Sequence, residues 1–146
     1  MRALLALALF ATLSGCQIFG EDSADAPRTF DYVALDAAGA VAAEGTLTLS
    51  FRDPRGPIRE TLADIEGTFR VEARDEAHAA LSGRGSVEGS IGQDSTLYVY
   101  PVPGIPDLGV TLAARVQGNI GDSFSGTWAS CGFGGCRTGG TFTATR

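Results

Sequence analysis

The sequence predicts an all-β domain, in which eight antiparallel strands form an up-and-down meander that closes into a barrel. Three observations predict this fold class. Apolar and polar residues alternate along most of the chain from Thr29 onward, which is the period of a strand with one dry and one wet face. Short links rich in Gly, Asp and Ser separate the alternating runs. A glycine-centred pattern also recurs, with Gly45, Gly67 and Gly89 spaced 22 residues apart.

The alternating runs give the strand boundaries. The longest run extends from Leu108 to Ile120, with apolar residues or glycine at every second position. No segment after the N-terminal stretch sustains a helical period, so no helix is expected in the domain. We expect eight strands near residues 29–36, 40–52, 60–74, 81–92, 95–102, 108–121, 123–131 and 136–145.

Turn chemistry joins these strands in sequence. The links contain residues typical of tight turns, namely Asp36-Ala37-Ala38-Gly39, Asp53-Pro54-Arg55-Gly56, Gly92-Gln93-Asp94-Ser95 and Gly121-Asp122. Consecutive strands with short turns form a meander, and its apolar edges must be covered, which favours closure into a barrel. A two-sheet β-sandwich is the alternative.

The two faces of the strands differ in polarity and in glycine content. The outward positions, such as Thr46, Glu66, Arg70 and Thr127, are polar, whereas a transmembrane barrel needs apolar outward positions. We therefore expect a domain in water. The repeated glycines lie on the apolar face, where they either allow strong coiling of the strands or leave space for a ligand.

The N-terminal stretch is expected to be a signal helix that precedes the barrel. Arg2 is followed by an apolar run from Ala3 to Leu13, too short for the roughly twenty residues of a transmembrane helix. The following Leu13-Ser14-Gly15-Cys16 resembles the lipobox of bacterial lipoproteins. This resemblance implies that residues 1–15 are removed and that Cys16 becomes an N-terminal residue carrying three acyl chains.

Three segments follow from this resemblance. Residues 1–15 are the lipoprotein signal peptide, residues 16–27 are the lipidated cysteine and a flexible tether, and residues 28–146 are the barrel domain. Three acyl chains would anchor such a domain firmly to a membrane. Gln17 stands where inner-membrane lipoproteins tend to have Asp, which indicates the outer membrane, with the domain facing the periplasm.

Charge and composition exclude several classes of partner. The chain has 11 basic and 17 acidic residues, and loss of Arg2 with the signal leaves 10 basic residues and a net charge of −7. An acidic chain without basic clusters is not expected to bind nucleic acid or anionic lipid through charge. No phosphate-binding loop or calcium loop is present in the sequence, and no cofactor is expected.

Cys131 and Cys136 remain once Cys16 is assigned to lipid. They bracket a four-residue, glycine-rich loop in a chain expected outside the cytoplasm, where disulfides persist. A structural disulfide that clamps the last hairpin is favoured, with a reactive dithiol and a metal site as alternatives. His78 is the one other soft ligand of the mature chain, so no metal site is predicted.

The predicted barrel resembles the lipocalin and avidin superfamily in build and length over residues 28–146. Its last twenty residues resemble small uncharacterised barrel lipoproteins of bacteria. Lipocalins carry Gly-x-Trp near their start, whereas Gly126-Thr127-Trp128 lies near the end of this chain. Avidins have inward polar residues that grip biotin, and few inward polar positions are predicted here.

Candidate ligand contacts cluster around the turn-rich segment from Pro101 to Asp107, which is expected at the rim of the barrel. Ile105 offers an apolar contact within it, and Trp128 is a further candidate. Tyr98 and Tyr100, beside the segment, are either contacts for a ligand or side chains covered by their neighbours.

Three functional hypotheses follow. The first is a non-catalytic barrel that binds a small hydrophobic ligand or an envelope protein, and the second is a structural lipoprotein with a packed interior. An interior cavity of about 300 Å³ or more favours the first. An enzyme is the third, but no catalytic residue is assigned, because Gly121-Asp122-Ser123 lies in a predicted turn and His78 in a polar link.

Overall fold

Eight antiparallel strands form a closed barrel in which every strand pairs with its neighbours in the chain. The computed structural model describes residues 26–53, 61–102, 109–116, 120–132 and 134–146. The predicted signal helix, the lipidation site and most of the tether lie outside these residues. The strands are β1 Arg28–Asp36, β2 Val41–Arg52, β3 Thr61–Ala73, β4 Gly83–Gly92, β5 Thr96–Val102, β6 Gly109–Arg115, β7 Ser123–Gly132 and β8 Gly135–Thr145.

Pairing of the first and last strands closes the sheet. Residues 31–36 of β1 pair with residues 140–145 of β8, so neither strand is an exposed edge along this segment. The prediction of an up-and-down barrel is confirmed, and the alternative of two separate sheets is wrong.

The barrel has two different ends. Because the number of strands is even, β1 begins and β8 ends at the same end, called here the Arg28 end. The opposite end carries the β1–β2 turn, the connection between β3 and β4, and the tip of the β7–β8 hairpin. It is called here the disulfide end, because Cys131 and Cys136 are paired in that hairpin.

The connection between β3 and β4 contains a short 3₁₀ helix, Glu76–Leu81, where the sequence predicted no helix. Asp75 caps this helix, and its side chain accepts a hydrogen bond from the His78 backbone N–H at 3.0 Å. A helix of six residues is less than two α-helical turns long, so it shows no helical period in the sequence. The short helix adds one element to the predicted strands, and the all-β fold class is confirmed.

The sixth strand is shorter than predicted. The alternation suggested one strand over residues 108–121, but β6 ends at Arg115. Val116 and Ile120 lie outside the strand and are nevertheless buried, with 5% and 3% exposure. The apolar residues after Arg115 therefore fit the alternating pattern because they are buried, although they are not part of the strand.

The interior of the barrel is apolar, as the alternation predicted. Buried side chains come from all eight strands, and no polar or charged residue among the described ones is buried. A chain of aromatic contacts runs along the interior, with ring centroids 5.2 Å apart between Phe30 and Phe124, 5.9 Å between Phe124 and Phe142, and 5.8 Å between Phe142 and Tyr32. At the Arg28 end, the Arg28 guanidinium donates to the Ile120 carbonyl at 2.7 Å.

The repeated glycines permit sharp coiling of the barrel wall. A Cβ atom at Gly67 would lie 2.0 Å from the Thr48 carbonyl oxygen of the neighbouring strand, and one at Gly89 would lie 2.0 Å from that of Tyr98. The same conflict recurs at 2.0 Å or less for Gly45, Gly126 and Gly140. These glycines therefore allow close approach of adjacent strands, and they do not open space for a ligand.

Candidate functional site

A small apolar crevice lies inside the disulfide end of the barrel, with a volume of about 40 Å³. Its floor and sides are apolar side chains of several strands, and Leu81 of the 3₁₀ helix closes it from above. It holds little more than one water molecule, whose share of liquid volume is about 30 Å³. The wall residues are Leu47, Phe69, Val71, Val87, Val99 and Leu112.

The crevice lies beside an interruption in the barrel wall. β5 and β6 pair over four residues, Thr96–Val99 with Leu112–Arg115. Beyond that point, Tyr100–Val102 remains paired with β4, and Gly109–Thr111 remains paired with β7. These two segments, called here the β5–β6 fork, are not paired with each other among the described residues, and Pro101 and Val110 of the fork line the crevice.

Proline and glycine contribute to the fork. Pro101 has no backbone N–H and cannot donate a hydrogen bond to a ladder. Gly109 begins β6 with φ of +111°, a conformation that side-chain-bearing residues rarely adopt. Both residues lie in the parts of β5 and β6 that are not paired with each other among the described residues.

Tyr32 brings a polar group to the crevice. Its side chain projects inward from β1, is 3% exposed and lines the crevice beside Leu47. Its hydroxyl makes no hydrogen bond within the described residues, but it is not fully enclosed, since the fully buried side-chain atom without a partner among these residues is Arg52 Nε. Burial raises the pKa of the Tyr32 phenol well above its usual value, because the phenolate would lose its hydration.

The 3₁₀ helix is held over this end by a local polar network. His78 Nδ1 lies 2.8 Å from the Asp75 carboxylate, which also caps the helix. These hydrogen bonds from His78 lower the pKa of Asp75, because they stabilise the charged carboxylate. The helix packs against β2, β3 and β6, and Leu81 is its buried side chain.

Trp128, one of the predicted ligand contacts, is a buried wall residue. Its indole N–H donates to the Leu35 carbonyl at 2.9 Å, and its ring lies directly over Gly139, which occupies the register shift between β7 and β8. The His78 ring meets it edge-on at 6.4 Å. The structure thus gives Trp128 partners within the chain and places it outside the lining of the crevice.

The other three predicted ligand contacts do not form a common site with Trp128. Tyr98 lies on the outer wall of β5 and is 47% exposed, so the expectation that neighbours cover it is wrong. Tyr100 is half-buried in the fork at the mouth of the crevice. Ile105 lies outside the described residues, as does Cys16. Of the four predicted ligand contacts, one therefore borders the crevice.

Cys131 and Cys136 are joined by a disulfide bond at the tip of the β7–β8 hairpin. They are directly opposite each other in the register of the two strands. The Cys131 sulfur contacts the Thr111 hydroxyl of β6 at 3.7 Å, so the bonded pair lies against the outer wall. The predicted pairing of these cysteines is confirmed.

Sequence reasoning missed Tyr32 and Leu81. The alternation of Phe30, Tyr32 and Ala34 was a signal for an inward Tyr32 in the first strand. Nothing in the sequence indicated that the Tyr32 hydroxyl lacks a partner, because that depends on the strands around it. Leu81 was placed at the start of a strand, where it would have been an ordinary wall residue.

Within the described residues, no helix is long and apolar enough to cross a membrane, and no group of His, Cys, Asp and Glu could hold a metal ion. No protein-family model, curated protein or solved structure matches this chain.

Proposed function

We propose that the protein is a lipid-anchored lipoprotein of the cell envelope, placed in the outer membrane and facing the periplasm, and that its barrel is a non-catalytic module with a packed interior. The resemblance of Leu13-Ser14-Gly15-Cys16 to a lipobox supports the anchor. The polar outer wall supports a barrel that stands in water beside the membrane, since its apolar side chains face inward.

The small volume of the interior crevice is the observation that favours a structural barrel over a ligand-binding barrel. Ligand pockets have volumes of about 300 Å³ or more, whereas the crevice measures about 40 Å³. Among the described residues, aromatic side chains and Leu81 are buried in the interior. A packed barrel is therefore favoured over one that encloses a bulky hydrophobic ligand.

Replacement of Cys16 by Ser tests the anchor. The wild-type protein is expected to incorporate labelled palmitate and to fractionate with membranes, and the Cys16→Ser variant is expected to accumulate as an unlabelled, uncleaved precursor. A double variant with Cys131→Ser and Cys136→Ser keeps Cys16 and is expected to be labelled normally. Acylation of the Cys16→Ser variant would contradict the proposal.

Native mass spectrometry of protein purified from membranes tests the packed interior. The expected mass is that of the acylated chain alone, because the interior leaves no room for a bulky guest. A co-purified hydrophobic molecule of drug-like size would instead support the ligand-binding barrel. Release of that molecule on unfolding would locate it inside the barrel.

A further inference from the structure

An open trough crosses the outer wall of the barrel over β2, β3 and β4, with side chains that include Thr48, Thr68, Ser86, Glu66 and Glu88. Its volume is about 490 Å³, within the range of about 300–1,000 Å³ that ligand sites have. We propose that this trough binds an amino sugar, through one ammonium group and neighbouring hydroxyl groups. Such a site goes beyond the anchored barrel with a packed interior, whose role does not require it.

One side of the trough is a row of hydroxyl groups. Thr48 pairs with Thr68 across β2 and β3, and Thr68 pairs with Ser86 across β3 and β4, so the three residues are neighbours on the outer wall. The Thr48 hydroxyl lies 3.0 Å from that of Thr29, whereas those of Thr68 and Ser86 make no hydrogen bond within the described residues. A hydroxyl group both donates and accepts hydrogen bonds. The row therefore suits a ligand that also does both, as sugar hydroxyls do.

The other side of the trough carries two carboxylates. Glu66 and Glu88 are directly opposite each other across β3 and β4, where like charges repel. Arg52 offsets the charge of Glu66 through an ion pair of 2.9 Å. The exposed Glu88 carboxylate makes no ion pair or hydrogen bond within the described part of the chain. One negative charge is therefore left on this side, and a ligand with one positive charge relieves the repulsion.

The lining of the trough between these two sides includes Gly67. Because glycine has no side chain, a ligand can lie across the strands in contact with the sheet itself. Neighbouring strands lie about 4.8 Å apart, so three strands give a trough about 10 Å long. This length suits a ligand of one or two sugar rings.

Charge and hydroxyl groups together favour an amino sugar. An ammonium group beside Glu88 gains a charge-assisted hydrogen bond, and hydroxyls of the same molecule reach Thr68 and Ser86. A simple amine would leave the hydroxyl row unused, and a neutral sugar would leave the Glu88 charge unpaired. An acidic sugar would be repelled by Glu88.

Saturation-transfer difference NMR with the full-length protein, as isolated from cells, tests the site. The probe is a disaccharide of one glucosamine and one N-acetylglucosamine, and it is expected to receive saturation from the protein. Added salt is expected to weaken binding, because it screens the contact with the exposed Glu88 carboxylate. The fully N-acetylated disaccharide has no charge and butylamine has no hydroxyl, so each is expected to bind about tenfold more weakly.

Two pairs of variants separate the trough from nonspecific attraction to an acidic protein. Glu88→Gln is expected to weaken binding of the probe by about tenfold, whereas Glu76→Gln removes an equal charge at the disulfide end and is expected to change nothing. Thr68→Val removes a hydroxyl from the row and is expected to weaken binding by about threefold or more. Thr127→Val removes a hydroxyl from the outer wall of β7 and is expected to leave binding unchanged. Circular dichroism checks that each variant is folded.

Four outcomes would overturn the proposal. They are the absence of saturation transfer to the probe, equal binding of the N-acetylated disaccharide or of butylamine, equal losses in Glu88→Gln and Glu76→Gln, and full affinity in Thr68→Val. If Glu88→Gln does not fold, the comparison of Thr68→Val with Thr127→Val decides, since equal affinities of these two variants are incompatible with binding in the trough.

Discussion

Gly67 and Gly132 lie in the same sheet but differ in what a methyl group would meet. At Gly67 a Cβ atom would lie 2.0 Å from the Thr48 carbonyl oxygen, whereas at Gly132 nothing lies within 4 Å. Gly67→Ala is therefore expected to lower the free energy of unfolding by about 3 kcal/mol or more, because β2 and β3 must move apart. Urea unfolding measures this difference.

Gly132→Ala is the matched control for that substitution. It adds the same methyl group in open space, at a residue without a positive φ, and is expected to change the stability by no more than about 0.5 kcal/mol. Equal effects at the two positions would show that the bend at Gly67 does not depend on the missing side chain.

Tyr32 makes the stability of the barrel sensitive to alkali. Burial raises the pKa of its phenol above the ordinary value of 10.0, so in alkali the unfolded chain loses this proton more readily than the folded chain. The stabilising contribution is complete below pH 10 and declines as the pH rises further. Urea unfolding at increasing pH is expected to show this decline in the wild type and less of it in Tyr32→Phe. An identical decline in both proteins would contradict the assignment.

The 3₁₀ helix is expected to lose its N-terminal cap in acid, when the Asp75 carboxylate is protonated. Hydrogen bonds from His78 lower the pKa of Asp75 below its ordinary value of 3.8. Its contribution is therefore complete above pH 3.8 and is lost as the pH falls through the lower, folded-state pKa. Hydrogen exchange of the His78 amide, measured as a protection factor, is expected to show this loss.

Asp75→Ala is expected to lower the protection of the His78 amide already at neutral pH, because the carboxylate is gone and only the Asp75 backbone carbonyl, at 3.3 Å, remains as an acceptor. Glu76→Gln changes a neighbouring charge and leaves the cap in place, so protection is expected to remain. Protection that survives in Asp75→Ala would mean that packing of Leu81, and not the cap, holds the helix.

The disulfide at the hairpin tip is expected to stabilise the barrel modestly. It closes a ring with five residues of sequence separation, for which the loop-closure model gives roughly 2 kcal/mol. The double variant Cys131→Ser and Cys136→Ser is expected to keep the barrel, as seen by circular dichroism, and to melt at a lower temperature. Free thiols in protein isolated from the envelope would contradict a structural role.

For the whole molecule, alternation and turn residues were sufficient to predict the number and order of the strands. Each strand of a meander pairs with its neighbours in the chain, so local patterns determine the global topology. The glycine pattern also marked positions at which neighbouring strands come close together. The predicted end of the sixth strand was wrong, because Val116 and Ile120 are buried without being part of it.

The candidate site was harder to predict because it depends on how several strands are arranged around it, and in particular on where β5 and β6 stop pairing. The crevice lies where β5 and β6 stop pairing after four residues, near Pro101 and near Gly109, whose φ is positive. The unpartnered state of the Tyr32 hydroxyl is likewise a property of its surroundings. Residue patterns placed Tyr98 and Tyr100 near this region, and of the two only Tyr100 lines the crevice, whereas Tyr98 lies on the outer wall.

The pairing of β1 on both of its sides has a mechanical consequence for the proposed anchor. If a tether pulls on the start of β1 while the disulfide end is held, the force acts along the axis of this strand. The backbone hydrogen bonds to β2 and β8 run across the strands, so the load falls on both ladders at once in shear. Bonds loaded together resist force better than bonds opened one after another, so β1 is well suited to carry tension applied at its start.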